Sequence, residues 1–206
     1  MIGFLKSSKK KDIFRKTVCY GLVSAVKETD IRGTALALAN YFASAKGYKT
    51  AFVLAKKDEP MNVMLSKLNC IDVNPMGYSD DYLTYYCISN AEELKKLRMK
   101  GFERLVMEID PEYLDEDYVS ETDHVRIFAD ISPWRYNSIR LFMRDNLLKR
   151  TVMRQRSGKC LYSVSSRKID VKRLKKEFDL DMIETGLISD PYRLDKDDLQ
   201  KIGKLV

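Results

Sequence analysis

One strand–helix–strand segment near the start constrains the fold of this chain more than any other feature. Residues 17–26 (TVCYGLVSAV) and 49–55 (KTAFVLA) are short, apolar and rich in strand-favouring residues, which is typical of strands buried on both faces. Between them, 34–46 has apolar residues at helical spacing, and Gly47 follows as a residue that ends helices. The apolar positions of this helix are Ala35, Leu38, Ala39, Phe42 and Ala43. This order predicts a βαβ unit with two parallel strands and a right-handed crossover.

The same alternation continues along the chain. Further strands are predicted at 82–89, 102–109, 124–131, 159–164 and 181–184, and further helices at 61–68, 91–100, 132–150, 169–178 and 197–205. Asn90 is a good N-cap for the helix at 91–100, with Glu93 three residues later as in a capping box. We therefore expect an α/β fold in which a mostly parallel sheet carries helices on both faces, a Rossmannoid three-layer sandwich.

Length and composition limit the classes of function. The 206 residues suit one domain, which we place at 17–206, after a basic N-terminal extension at 1–16. The four cysteines form no C-x-x-C pair and His124 is the single histidine, so zinc sites, redox pairs and histidine-based triads have no support. The net charge of +7 favours an acidic partner.

The chain is expected to be cytoplasmic. No apolar run approaches the roughly 20 residues that span a bilayer, and the basic residues near the N-terminus follow the short apolar start instead of preceding it. The extension at 1–16 is either a mobile, solvated tail or a short amphipathic helix that contacts a membrane or a partner. The second alternative would bring the protein to the inner face of the membrane.

The polar loop after the first strand is the first candidate site. Ligands of open α/β sheets bind at the carboxyl ends of the strands, and residues 27–33 (KETDIRG) occupy that place. In a P-loop, glycines let main-chain N–H groups surround the phosphates, a lysine neutralises them, and a serine or threonine binds Mg²⁺.

The segment 21–55 resembles the first βαβ unit of the MinD/ParA-type P-loop ATPases, and the match is best in the helix at 35–40 (ALALAN). The chain is also similar to reduced members of this family that are associated with tight-adherence pilus assembly. Matches to that subgroup are 92–110, which resembles a helix leading to a Walker-B strand, Ser132-Pro133-Trp134 and Asp190-Pro191-Tyr192. The resemblance covers about 17–206 and implies a P-loop NTPase-like fold.

The loop departs from the family pattern. With Ala35 as the anchor, the P-loop lysine falls on Ile31 and the Mg²⁺-binding hydroxyl falls on Arg32; a shift of two residues would place Gly33 and Thr34 at the end of the loop. The family glycines fall on Lys27, Glu28 and Asp30. The degenerate phosphate-loop position therefore comprises Lys27, Glu28, Thr29, Asp30, Ile31, Arg32, Gly33 and Thr34. Side chains other than glycine resist a phosphate-binding loop, and the two acids repel phosphate.

Two acids occupy the Walker-B-like position implied by the resemblance. Glu108 falls at the Walker-B aspartate and Asp110 follows it. They are interpreted either as solvated carboxylates at the end of a strand or as a residual Mg²⁺ site. We expect no cofactor, with residual ATP and Mg²⁺ binding as the alternative, and no assigned catalytic or metal-ligating residue.

A second candidate surface is the basic helix at 169–178. Its cations are Lys168, Lys172, Arg173, Lys175 and Lys176, around an apolar stripe of Ile169, Val171, Leu174 and Phe178. This pattern is typical of a solvated helix face, and also of a surface for DNA or acidic lipid. Trp134 is either a core anchor or an exposed contact.

These observations lead to one expected function and two alternatives. The expected function is a non-catalytic binding or scaffold module, with protein partners and a role in localising or assembling a pilus or secretion apparatus. The first alternative is an unusual switch ATPase that forms a homodimer on ATP. The second is a basic, DNA-binding partitioning accessory.

Overall fold

The computed structural model describes residues 16–26, 29, 31–55, 72–73, 75–145, 159–162, 168–179, 182–186, 188 and 190–206. Most of the basic extension at 1–16 and the whole predicted helix at 61–68 lie outside these ranges. So do Lys27, Glu28 and Asp30 of the loop.

Within the described residues, nine strands form one sheet. They are β1 (Val18–Ser24), β2 (Thr50–Ala55), β3 (Asp72–Val73), β4 (Met76–Ser79), β5 (Thr84–Ile88), β6 (Arg104–Ile109), β7 (His124–Ala129), β8 (Lys159–Tyr162) and β9 (Met182–Glu184). The strand order is β3-β4-β5-β2-β6-β1-β7-β8-β9. All neighbours from β5 to β9 are parallel, whereas β3, β4 and β5 pair antiparallel.

The helices follow the strands in the predicted alternation. They are α1 (Arg32–Asn40), which continues as a π-helical turn at Tyr41–Ala45, α2 (Ala91–Arg98), a 3₁₀ turn at Pro111–Tyr113, α3 (Glu116–Ser120), α4 (Tyr136–Arg144), α5 (Lys168–Phe178) and α6 (Lys196–Gly203). Gly47 and Gly101 follow α1 and α2 at positive φ, 66° and 75°, where a residue without Cβ is favoured.

Two apolar clusters lie on opposite faces of the sheet, because side chains alternate along each strand. Cys19 and Val23 of β1 belong to the first cluster, with residues of α2, α3, α4 and α5. Tyr20 and Leu22 belong to the second cluster, with α1 and α6. The predicted α/β fold with helices on both faces of a mostly parallel sheet is confirmed.

Helix α1 is more buried than its sequence pattern predicts. The spacing indicated one apolar face, but every residue from Ala35 to Asn40 is buried. Leu36 and Ala37, which fall outside the predicted face, are only 8% and 0% exposed. Ile202 of α6 and Leu205, just after it, join the same cluster, so the C-terminal segment packs on the same face of the sheet as α1.

Three local features differ from the sequence-based expectation. The β3–β4 hairpin and α3 were not predicted, and α4 begins at Tyr136 instead of at Ser132. The Asn90 cap is confirmed, since its side chain accepts a hydrogen bond from the Glu93 N–H at 3.0 Å. Glu93, however, accepts from the Ser89 N–H at 2.7 Å, one residue earlier than in the expected capping box.

Candidate functional site

The carboxyl end of β1 lies between the carboxyl ends of β6 and β7. Leu22 is in register with Glu108, and Ser24 is in register with Phe128. The Ala25 N–H continues the pairing by donating to the Phe128 carbonyl at 2.7 Å. The chain then turns, with the Thr29 N–H donating to the Val26 carbonyl at 2.9 Å. The predicted loop therefore leaves the sheet at the edge where ligands of α/β folds bind.

Arg32 and Glu108 form the central contact of this edge. The Arg32 Nε donates to Glu108 Oε2 at 2.9 Å and Nη2 donates to Oε1 at 3.3 Å. Glu108 is on the face of β6 that α1 covers, because Val106, two residues earlier, packs in the second cluster. The side chains of Arg32 and Glu108 are 33% and 15% exposed, so this is a bidentate, partly buried ion pair, a geometry that favours guanidinium and carboxylate.

The described residues of the phosphate-loop position divide between the loop and the helix. Thr29 lies in the loop, and its Oγ1 is buried with no hydrogen-bond partner among the residues that the structure describes. Ile31 is buried at the N-cap position of α1 and makes no side-chain cap. Arg32, Gly33 and Thr34 form the first turn of α1. Gly33 is helical and a Cβ there would meet nothing within 4 Å, so no close approach of the main chain explains this glycine.

The second acid of the Walker-B-like position has a structural contact. Asp110 is the N-cap of the 3₁₀ turn, and its Oδ1 accepts from the Glu112 N–H at 3.0 Å. After β7, Asp130 pairs with Arg135 at 2.6 Å. This pair was not predicted, although Asp130 directly follows a buried strand, as Asp110 does.

A second arginine lies deeper on the same face of the sheet. Arg126 in β7 is 2% exposed, and its Nε donates to the Leu205 carbonyl at 2.9 Å. Burial lowers the pKa of its guanidinium, and the interaction with Tyr20 opposes this effect. The ring centroid of His124 lies 4.8 Å from that of Tyr20, and burial, followed by the charge of Arg126, lowers the pKa of His124. The polar alternation of His124 and Arg126 along an otherwise apolar strand was the only sequence signal for this arrangement.

Solved structures show what this architecture is similar to. A plasmid partition protein from Borrelia burgdorferi has a TM-score of 0.61 at 15% identity, over 92% of this chain and 96% of that one. MinD from Aquifex aeolicus, in its complex with MinC, has a TM-score of 0.55 at 13% identity, over 91% and 86%. A ParA family ATPase from Chlorobium tepidum has a TM-score of 0.54 at 10% identity, over 92% and 90%.

The chain has the ParA/MinD fold. The MinD/ParA-like resemblance of the sequence is thereby confirmed at the level of the fold, since identities this low carry no more than the architecture. No protein-family model matches the sequence, and a comparison with curated protein sequences gives no match.

The basic residues of α5 lie on the other side of the ParA/MinD sheet from Glu108. Leu174 of α5 packs in the first cluster, whereas Arg32 and Glu108 lie on the face of the second. The five cations Lys168, Lys172, Arg173, Lys175 and Lys176 are exposed. Of the predicted apolar stripe, Val171, Leu174 and Phe178 pack inward, but Ile169 is 55% exposed, so its inclusion in the stripe was wrong.

The turn before α4 carries Trp134, whose role the sequence leaves open. Trp134, two residues before α4, is 84% exposed, so it is not a core anchor. Helices α4 and α5 are joined by Glu177, which accepts from Arg140 and from Arg144 at 2.8 Å each.

The described part of the chain lacks two features, a cluster of metal ligands and a helix that could span a membrane. It contains no group of three or more histidine, cysteine, aspartate or glutamate side chains placed to hold a metal ion. None of its helices is long and apolar enough to cross a membrane.

Proposed function

We propose that this protein is a non-catalytic binding module on a ParA/MinD fold. The observation that carries the proposal is the ion pair between Arg32 and Glu108. By the resemblance, these two residues occupy the positions of the Mg²⁺-binding hydroxyl and of the Walker-B aspartate. A guanidinium cation thus neutralises the carboxylate that would otherwise face the metal.

The chemistry of the pair argues against a Mg²⁺–nucleotide complex at this position. Mg²⁺ requires oxygen ligands in near-octahedral geometry, and both oxygens of Glu108 accept hydrogen bonds from Arg32. The lysine that would neutralise the β- and γ-phosphates is replaced by Ile31, which is buried. Removing the ion pair to admit a metal would leave a partly buried guanidinium without its carboxylate, which is costly.

The function of such a module is to bind protein partners. The relatives of this fold include MinD in complex with MinC, which shows that the fold supports a protein partner in that case. We propose that this chain likewise binds a protein partner, either a second copy of itself or a different protein. The complex would form at the cytoplasmic face of the membrane and would act in the localisation or assembly of a pilus or secretion apparatus.

The first test is calorimetry of the purified protein with ATP, ADP and GTP, with and without Mg²⁺. We expect no binding at millimolar nucleotide and no Mg²⁺-dependent release of phosphate. Arg32→Ser, which restores a hydroxyl at this position and releases Glu108, is the informative variant, and Arg193→Ser on the exposed surface is its control. Micromolar binding by the wild-type protein that requires Mg²⁺ and disappears in Glu108→Ala would overturn the proposal.

A second candidate, a nucleotide-dependent switch, is favoured by the position of Arg32. This cation lies in the first turn of α1, a turn without acidic residues, where the helix dipole attracts anions. A phosphate could then replace Glu108 as the partner of Arg32. This candidate requires ATP-dependent dimerisation, measured by light scattering; a molar mass unchanged by ATP excludes it.

A further inference from the structure

One surface of the molecule combines exposed apolar side chains with clustered cations. We call it the α4–α5 face and define it by Trp134, Leu141, Ile169, Lys172, Arg173 and Lys176. Trp134, Leu141 and Ile169 are 84%, 70% and 55% exposed, and the three cations are exposed. A group of exposed apolar side chains that is rimmed by polar residues is typical of a contact surface.

The two helices present these residues on one side. On α5, Ile169, Lys172, Arg173 and Lys176 follow the i, i+3, i+4, i+7 spacing of a single helix face, opposite the buried Leu174. On α4, Leu141 lies on the side opposite the buried Ile139 and Met143, and Trp134 lies in the turn that leads into this helix. The bridges from Arg140 and Arg144 to Glu177 hold the helices side by side.

The charge of the face is strongly asymmetric. Helices α4 and α5 together carry seven basic and two acidic side chains. Of the two acids, Asp170 is buried and Glu177 is already paired with two arginines. Outward-facing charge is therefore almost entirely positive.

We infer that the α4–α5 face docks on an anionic lipid surface. A tryptophan and two aliphatic side chains enter the boundary between headgroups and acyl chains, and the lysines and arginines pair with lipid phosphates. Each cation near such a surface contributes roughly a fivefold gain in affinity, and three apolar side chains alone would bind only weakly. The combination explains why both features occur on one face.

Composition favours lipid over the other acidic partners. Lysine is depleted at protein–protein interfaces, yet it contributes fully to attraction by a charged membrane. Nucleic acid would explain the cations, but Leu141 and Ile169 would have no role in phosphate contacts. The face is also separate from Arg32 and Glu108, which lie on the other side of the sheet, so the inference does not depend on whether nucleotide binds.

The single tryptophan of the chain makes the test specific, because Trp134 is both the reporter and a member of the face. The full chain is titrated with vesicles of phosphatidylcholine alone and of phosphatidylcholine with about one third phosphatidylglycerol. We expect a blue shift of the tryptophan emission and co-sedimentation with the anionic vesicles only, weakening as salt is raised. Absence of co-sedimentation with anionic vesicles at low salt would overturn the inference.

Variants separate this face from a general effect of positive charge. Lys172→Glu/Lys176→Glu is expected to weaken vesicle binding by at least tenfold, and Leu141→Ser severalfold. The matched controls are Lys96→Glu and Met99→Ala, an exposed cation and an exposed apolar residue at the end of α2, which should bind like the wild-type protein. Equal loss in the control variants, or binding of duplex DNA in place of vesicles without a blue shift, would contradict a lipid-binding face.

Discussion

Arg32 and Arg126 lie on the same face of the sheet and differ in what surrounds them. Arg126 is buried and donates to a main-chain carbonyl of the C-terminal segment. Arg32 is one third exposed and pairs with a carboxylate at the carboxyl edge. A buried cation held by the main chain cannot exchange its partner without opening the core, whereas a cation at the edge can. Arg126 therefore stabilises the fold, whereas Arg32 is accessible to a ligand.

The largest effect is expected at Arg126. Arg126→Ala leaves a cavity and removes the donor to the Leu205 carbonyl, and we expect a loss of about 3 kcal/mol in the free energy of unfolding. Arg126→Met keeps most of the volume and should lose less. Urea denaturation followed by circular dichroism measures both; an unchanged midpoint for Arg126→Ala would mean that the contact is dispensable.

The ion pair at the edge should give a smaller, measurable coupling. A double-mutant cycle of Arg32→Ala and Glu108→Ala is expected to show about 1 to 2 kcal/mol of interaction, because the pair is bidentate and partly buried. The exposed pair of Glu92 and Lys95 on α2 is the matched control, and its cycle should be indistinguishable from zero. Equal coupling energies in the two pairs would mean that the partly buried pair of Arg32 and Glu108 is no stronger than an exposed surface pair.

The next prediction concerns the pH dependence of stability that His124, the single histidine, causes. Burial, then the charges of Arg126 and Arg104, hold the pKa of His124 below its ordinary value of 6.5, against the opposing effect of Asp123. The unfolded chain therefore binds a proton first, and stability should fall as pH drops from 6.5 through the lower pKa of the folded state. An NMR titration of the tag-free protein measures the pKa of His124 directly. The pKa should rise in Arg126→Met; a value at or above 6.5 in the wild-type protein would contradict the burial.

The smallest effect is expected where α4 meets α5. Hydrogen bonds from Arg140, opposed by desolvation and supported by Arg144, lower the pKa of Glu177 from 4.5. Its contribution is present above pH 4.5 and is lost as pH falls through the lower folded value, but solvent screens it. Glu177→Gln should thus differ from the wild-type protein only slightly at neutral pH and not at all in strong acid. A large loss at high salt would show that the bridge does more than align two helices.

The sequence predicted the fold well because its strands are short apolar runs and its helices have caps. Gly47, Asn90 and Gly101 end or begin helices where expected. The β3–β4 hairpin was missed because strands of two and four residues leave too short a pattern. The pairing of β4 with β5 also depends on Gly77, where a Cβ would overlap the ring of Tyr86, and no local sequence pattern predicts that contact.

The candidate site was predicted only in part. The resemblance placed Arg32 at the position of the Mg²⁺-binding hydroxyl and Glu108 at the position of the Walker-B aspartate. It did not predict their ion pair, because the two residues are 76 positions apart and only the order of the strands brings them together. The burial of Arg126 was missed for a similar reason, since its partner belongs to the C-terminal segment. Ile169 was assigned to the inner stripe because spacing alone cannot tell which edge of an apolar face meets the core.

The apolar cluster that α1 shares with the C-terminal segment has a consequence for biosynthesis. Helix α1 is complete more than 150 residues before α6 is made, yet Ile202 and Leu205 share its apolar cluster. At roughly 5–20 residues per second, the ribosome needs on the order of 10 to 30 s to add that length. During this interval the apolar cluster around α1 lacks Ile202 and Leu205, so the nascent chain presents apolar surface to chaperones until residues 196–205 leave the exit tunnel.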